Sequence, residues 1–202
     1  MKKIIAMLLA LTMLVAFAGC NNTTAPETTE GTKATETTAA PTETTEAVTG
    51  AASALEILEN TWNLFGEDEK FFVMGGDFEN MVDGAPGAVN VAGVDFLTGN
   101  LIVPEAETAN VTDAASLIHA MNANTFTCAA YAVADVQAFA DAMKTAIQGN
   151  HWMCGFPEKL VIAEVDGFVV VMFGHGDAVN PFLTNLQTAY TNTNVLAEEA
   201  IG

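Results

Sequence analysis

The chain has 202 residues, of which 25 are acidic and only 6 are basic, so its formal net charge at pH 7 is −19. All of the basic residues are lysines, and this balance excludes nucleic acid as a partner, because phosphate binding depends on many lysine and arginine side chains. Anionic lipid headgroups should repel the chain for the same reason.

Residues 1–19 have the pattern of a secretory signal peptide. Lys2 and Lys3 give it a positive start, residues 4–18 are almost wholly apolar, and small residues precede Cys20. An apolar run of about 15 residues is too short for a transmembrane helix, which needs about 20. The segment resembles the lipobox of bacterial lipoproteins, which implies a diacylated Cys20 that anchors the protein at the extracellular face of the cell membrane. A secretory signal that is cut elsewhere is the alternative.

Residues 20–50 are predicted to form a disordered tether behind this lipid-anchored cysteine. They are rich in Thr, Glu and Pro and nearly free of large apolar side chains, so they cannot bury enough surface to offset the entropy of ordering. The composition changes at Gly50. Residues 51–202 then form one block of normal single-domain size, which we expect to be globular.

The first part of this block contains one clear element. Ser53 and Glu56 have capping-box spacing, and apolar residues follow at helical spacing up to a glycine, which predicts an amphipathic helix. Residues 71–74 are an apolar run that fits either the end of a helix or a strand. Residues 75–100 are glycine-rich and predict loops, with a strand near residues 91–97.

Two helices and one strand are predicted between residues 111 and 150. Thr112 is a candidate cap for a helix over residues 113–121. Residues 126–133 have the composition of a strand. Asp135 is a candidate cap for a second helix, which Gly149 would close.

A hairpin and a final helix complete the predicted elements. Residues 160–165 and 168–173 are apolar runs joined by an Asp-Gly pair, the strongest short-range signal for a two-residue hairpin. Pro181 predicts the start of a helix that continues to about Tyr190. The sequence therefore predicts a single α+β domain with a β-α-β-β-α core, whose helices cover one face of the sheet, preceded by an N-terminal helix.

Residues 126–190 resemble a domain of unknown function that occurs in surface lipoproteins of Gram-positive gut bacteria. The matching stretches are FTCAAYAV, DVQAFADAMKTAIQ, KLVIAEVDGFVVVMFG and NPFLTNLQ. The resemblance lies in pattern and element order, and it covers about a third of the chain. It implies a fold family and a location at the cell surface, and it implies no activity.

Cys128 and Cys154 are an even pair once Cys20 carries lipid, which makes them a candidate disulfide. Cys128 lies near the start of a predicted strand, and the loop that contains Cys154 should return to that end of the strand. Two separate buried thiols are the alternative. A redox role is not indicated, because the chain has no Cys-x-x-Cys motif.

His151, Cys154 and His175 are the residues from which a metal or thiol site can be drawn. Zinc sites usually contain closely spaced ligand pairs, such as His-x-x-x-His, and the sequence has none. We therefore predict no catalytic residue, no metal ligand and no cofactor. A metal- or thiol-dependent enzyme that uses these three residues is kept as an alternative function.

Trp152 and Phe156 form a candidate ligand surface, because aromatic side chains on an exposed loop mark binding sites. The main hypothesis is a non-enzymatic surface lipoprotein that binds an unknown protein or small ligand through residues 75–100 or through the loop around Trp152. Its contact with the membrane would come from the lipid on Cys20. A structural envelope component that acts through self-association is a further alternative.

Overall fold

A computed structural model gives the structure of residues 50–202. The predicted signal peptide, Cys20 and almost all of the predicted tether lie outside these described residues. Within residues 50–202, no helix combines the length and the apolar content that crossing a bilayer requires.

Residues 50–202 form four α-helices, one 3₁₀ helix and an eight-stranded sheet. The helices are α1 (Ala54–Trp62), α2 (Val94–Gly99), the 3₁₀ helix (Glu105–Asn110), α3 (Val136–Gln148) and α4 (Gly176–Ala189). The strands are β1 (Val73–Gly75), β2 (Val82–Asp83), β3 (Gly87–Ala88), β4 (Val111–His119), β5 (Phe126–Val133), β6 (Lys159–Val165), β7 (Phe168–Gly174) and β8 (Asn194–Ala200). The mixed α+β class is therefore confirmed.

The sheet is antiparallel at every described strand pair, in the order β2-β1-β4-β5-β7-β6-β8, and β3 pairs with β4. The elements from β5 to α4 follow one another as strand, helix, strand, strand and helix. They supply only three of the eight strands, so most of the sheet comes from outside the predicted core.

Helices cover both faces of the sheet, so the prediction that they cover one face is wrong. Helices α1 and α4 pack on the face that receives Cys128, Val161 and Met172. Helices α2 and α3 pack on the opposite face, which receives Tyr131 and Ile162. Because successive side chains of a strand point to opposite faces, the central strands are apolar at nearly every position.

Helix α1 begins where its capping box predicts. The Ser53 hydroxyl accepts a hydrogen bond from the Glu56 N–H at 3.1 Å, and the Asp113 carboxylate accepts one from the Ala54 N–H at 2.8 Å. Both oxygens satisfy donors that a helix start leaves free, and the carboxylate also complements the positive end of the helix dipole. The helix ends at Trp62, before the predicted glycine at Gly66.

The predicted helix after Asp135 and the predicted hairpin are also confirmed. The Asp135 carboxylate accepts from the Ala138 N–H at 3.0 Å and so caps α3. Asp166 and Gly167 join β6 to β7 with positive φ angles of 49° and 86°. A type I′ turn needs positive φ at both central residues, which explains why this dipeptide stands there.

Two predicted elements have the wrong secondary structure. Residues 113–121 belong mainly to strand β4, and residues 91–97 contain the start of helix α2. Strand β4 is buried on both faces over most of its length, so its apolar residues do not alternate. A short apolar run of that kind has no period that separates a strand from a helix.

Helix α4 starts at Gly176, so the predicted start at Pro181 is too late. Pro181 lies inside α4, in its second turn, where its missing N–H cannot donate to the Asp177 carbonyl. Strand β8 was not predicted. It pairs with β6 at the edge of the sheet and carries Glu198 and Glu199, which form ion pairs with Lys159 and Lys144.

Candidate functional site

The candidate disulfide between Cys128 and Cys154 is not formed, and both residues are free thiols. Cys128 points into the layer between the sheet and helices α1 and α4. Cys154 is exposed on the loop after α3, where its neighbour Trp152 packs on the opposite face of the sheet, against Phe173. The alternative of two buried thiols therefore holds for Cys128 alone.

Burial raises the pKa of the Cys128 thiol well above its ordinary value. A thiol in this environment stays protonated near neutral pH and is a poor nucleophile. Cys128 therefore acts as a small apolar side chain of the core.

His151, Cys154 and His175 do not assemble into a metal site. Within the part of the chain that the structure describes, no group of three or more His, Cys, Asp or Glu side chains is placed to hold a metal ion. His175 precedes helix α4, and its backbone N–H donates to the Thr125 carbonyl at 2.8 Å. The geometry that the metal-enzyme alternative requires is thus not present in residues 50–202.

Trp152 and Phe156 do not form one exposed aromatic surface. Phe156 is 72% exposed, whereas Trp152 is partly buried and its ring centroid lies 5.3 Å from that of Phe173. The Trp152 Nε1 is buried and has no hydrogen-bond partner among residues 50–202. The structure places a larger exposed apolar surface elsewhere, beside helix α2.

Three adjoining clefts lie beside helix α2, and together we call them the α2 groove. The apolar cleft has a volume of about 230 Å³, and its largest apolar lining residues are Met74, Phe78, Met81, Phe96, Ile118 and Met121. The acidic cleft has a volume of about 210 Å³ and shares Asp77, Phe78 and Phe96 with the apolar cleft. Two more carboxylates, those of Glu79 and Asp95, line it.

The third cleft of the groove, the amide cleft, adjoins the apolar cleft at Asn100 and Ala123. It has a volume of about 420 Å³, and its polar lining includes Asn124, Asn150 and His151. The Asn124 amide donates to the Met153 carbonyl at 2.8 Å and so ties the loop after α3 to this end of the groove.

Large apolar side chains stand exposed around the apolar cleft. Phe78 is 66% exposed, Met81 is 62% exposed and Met121 is 78% exposed. Single exposed apolar residues are common on soluble proteins, but several around one cleft are typical of a binding surface. Methionine is flexible and polarizable, which lets such a surface adapt its shape to an apolar partner.

A buried carboxylate holds the loop that carries Phe78 and Met81. The Asp77 side chain accepts hydrogen bonds from the N–H groups of Glu79 and Asn80, both at 2.9 Å, and from the Asn90 N–H at 2.6 Å. The bond from Asn90, helped by those from Glu79 and Asn80, holds the pKa of Asp77 below its ordinary value, although burial acts in the opposite direction. The ionised carboxylate therefore fixes both ends of the loop.

Close backbone contacts also hold this loop. Gly76 has a φ of +79°, and a Cβ added there would lie 2.0 Å from the Asn80 carbonyl oxygen. A Cβ added at Gly75 would lie 2.2 Å from the backbone nitrogen of Gly87. The Ser116 hydroxyl donates to the Gly76 carbonyl at 2.6 Å. The glycines allow this segment to pack directly against strand β3 and the Asn80 carbonyl, and the Ser116 hydroxyl ties it to strand β4, so these contacts hold the backbone of the groove wall.

His119 holds the opposite wall of the apolar cleft. Its Nδ1 accepts from the N–H groups of Met121 and Asn122, at 3.2 Å and 3.3 Å, and its ring stacks on Phe71 with the centroids 6.0 Å apart. These contacts fix the turn after β4 that presents Met121. The imidazole therefore positions the wall of the groove.

Sequence reasoning found one side of this site and missed the other. It selected residues 75–100 as a ligand region, and that region supplies Phe78, Met81 and Phe96. It did not select Met121, because it placed residues 113–121 in a helix.

Comparison of the chain with protein-family models, with curated proteins and with solved structures found no match.

Proposed function

We propose that the protein is a non-enzymatic lipoprotein of the cell surface that binds a protein or ligand in the α2 groove. The observation that carries this proposal is the exposure of Phe78, Met81 and Met121 around one apolar cleft. An apolar surface of this kind gains free energy when a partner removes it from water, and the held backbone beneath it has little entropy to lose on binding. The lining of the apolar cleft favours binding over acid-base chemistry, since it includes three methionines and two phenylalanines.

The location is supported by the sequence of residues 1–50 and by the resemblance of residues 126–190 to a domain of surface lipoproteins. A lipid on Cys20, followed by a Thr- and Glu-rich tether, would display the groove at a distance from the bilayer. We further propose that the β-α-β-β-α unit from β5 to α4 is the structural core of the domain. Its strands β5, β7 and β6 are neighbours in the sheet, which supports this role.

The anchor is tested by the substitution Cys20→Ala. We expect the substituted protein to lack the mass of the acyl chains and to lose membrane attachment, because a single thioether-linked diacylglycerol would supply both chains. Intact-mass measurement and partitioning between detergent and water are the readouts. Cys154→Ala is the matched control, since it removes an exposed thiol outside the signal region. An unchanged mass and unchanged partitioning of the Cys20→Ala protein would overturn the anchor.

Binding in the groove is tested by methyl NMR of the full chain in neutral phosphatidylcholine nanodiscs, with ¹³C at the methionine methyl groups. We expect a capped tryptophan peptide with flanking glutamines to shift the signals of Met74, Met81 and Met121, which line the apolar cleft. Met143 and Met172 are internal controls, because both are fully buried in the core. The binding proposal fails if no groove methionine signal moves with any peptide at millimolar concentration.

A further inference from the structure

The lysines of the described domain lie outside the α2 groove, and each is paired with a glutamate. Lys70, Lys144 and Lys159 are the only lysines of residues 50–202, and each forms an ion pair with a glutamate: Glu67, Glu199 and Glu198 respectively. The domain therefore has no lysine left over to meet an anionic ligand.

The carboxylates at the acidic cleft are available to a partner. Glu79 and Asp95 are exposed, and neither side chain forms an ion pair within residues 50–202. The T-shaped pair of Phe78 and Phe96, with ring centroids 5.1 Å apart, lines the same cleft, and Phe78 is 66% exposed. Carboxylates beside an exposed aromatic ring attract an ammonium or guanidinium group both by charge and by the cation–π interaction.

The sizes of the apolar and acidic clefts favour successive side chains of a peptide over one compact small molecule. Small-molecule sites usually measure about 300–1,000 Å³. The apolar and acidic clefts measure about 230 Å³ and about 210 Å³, so each is smaller than such a site, whereas the amide cleft, at about 420 Å³, lies within this range. Adjoining small clefts of different chemistry are typical of a surface that takes successive side chains of a peptide.

We infer that the α2 groove binds a basic, amphipathic segment of another protein, with an aromatic or aliphatic side chain in the apolar cleft and a lysine or arginine in the acidic cleft. This inference rests on the proposed function and names its partner class. Charge complementarity selects this occupant. A second copy of the chain would bring a further net charge of −19 to an acidic surface, and the chain's own residues 21–49 contain five glutamates and one lysine.

The test uses three capped pentapeptides with a central tryptophan that is flanked on both sides by pairs of lysine, glutamine or glutamate. Dissociation constants are measured with the full chain in neutral nanodiscs, through the methyl signals of Met81 and Met121. We expect the lysine peptide to bind at least tenfold more tightly than the glutamine peptide and the glutamate peptide to bind most weakly. The preference should decrease as salt rises, because exposed charges are screened.

Two matched double variants distinguish the effect of the acidic-cleft carboxylates from the effect of the overall negative charge of the domain. Glu79→Gln with Asp95→Asn removes the carboxylates of the acidic cleft, whereas Asp68→Asn with Glu105→Gln removes two exposed carboxylates that line none of the three clefts. Both change the net charge equally. We expect the first to reduce the lysine preference about tenfold and the second to leave it within about twofold, since roughly 1.4 kcal/mol corresponds to tenfold.

Several results would overturn this inference. Equal affinity for the lysine and glutamine peptides would reject a basic partner but would leave the proposal of binding in the groove intact. If the two double variants lose the lysine preference equally, the preference comes from long-range attraction to the negative domain and not from the acidic cleft. If the methyl signals of the groove methionines shift with protein concentration in the absence of peptide, the groove binds a second copy of the chain. No binding of any peptide would reject the proposed function together with this inference.

Discussion

Replacing Gly76 with alanine should destabilise the domain by about 2–5 kcal/mol and abolish binding in the α2 groove. Gly76 has a φ of +79°, where a side chain costs roughly 1–2 kcal/mol in the left-handed region. The new Cβ would also lie 2.0 Å from the Asn80 carbonyl oxygen, so the backbone itself must move. Overpacking of this kind typically costs a further 1–3 kcal/mol or so.

Gly84→Ala is the matched control for this prediction. Gly84 has a φ of +72°, yet a Cβ there would meet no atom within 4 Å. We expect this variant to lose only the conformational cost of about 1–2 kcal/mol and to keep the groove. Urea unfolding gives the two free energies, and the methyl signal of Met81 reports on the groove wall. Equal destabilisation by the two substitutions would show that the contact with Asn80 does not constrain the loop.

The sequence predicts best those elements whose signals are local. A cap at Ser53, a cap at Asp135 and the dipeptide Asp166-Gly167 each satisfy a requirement of a few neighbouring backbone groups, and the structure confirms all three. These requirements do not depend on the rest of the fold. Local chemistry is therefore sufficient for helix α1, helix α3 and the β6–β7 hairpin.

The central strand β4 could not be assigned, because its pattern depends on what covers it. Ala114 and Ala115 are adjacent and both buried, since helices cover both faces of the sheet. If helices covered only one face of the sheet, apolar and polar residues would alternate along this strand. They do not alternate, and the pattern of residues 113–121 therefore predicts a helix. Strand β8 was missed for a related reason. Glu198 and Glu199 look like solvent-facing residues, but each pairs with a lysine of a neighbouring element.

The candidate site was half predictable for the same physical reason. The glycine density of residues 75–100 indicates a backbone that packs closely, and this segment does build one wall of the groove. Exposure is a property of the assembled fold, however. Trp152 is drawn against Phe173, whereas Met121 is left in solvent by the turn after β4. Composition alone gives no means to distinguish these two side chains.

The Asp77 carboxylate should make the groove loop sensitive to acid, and its removal is the second large effect that we expect. Asp77→Ala leaves the N–H groups of Glu79, Asn80 and Asn90 without their acceptor. A hydrogen bond to a charged group contributes about 1.5–3 kcal/mol, and water can reach part of these exposed donors, so we expect the variant to lose about 3 kcal/mol at pH 7. Asp77→Asn keeps one acceptor oxygen and should lose less. Asp95→Asn is the exposed control and should change the free energy of unfolding by less than about 0.5 kcal/mol.

The dependence of the free energy of unfolding on pH tests whether the charge of Asp77 is the source of this stability. Because folding lowers the pKa of Asp77 from 3.8, the folded state favours the ionised carboxylate. Its contribution is fully present above the ordinary pKa and is lost as the pH falls through the lowered value of the folded protein. Urea unfolding between pH 7 and pH 2.5 should show this loss in the wild type and in Asp95→Asn, and it should be smaller in Asp77→Asn. If Asp77→Asn has the acid profile of the wild type, another carboxylate stabilises the fold. If Asp77→Asn has a flatter dependence of stability on pH and also a broadened Met81 methyl signal, the charge of Asp77 stabilises both the fold and the wall of the groove.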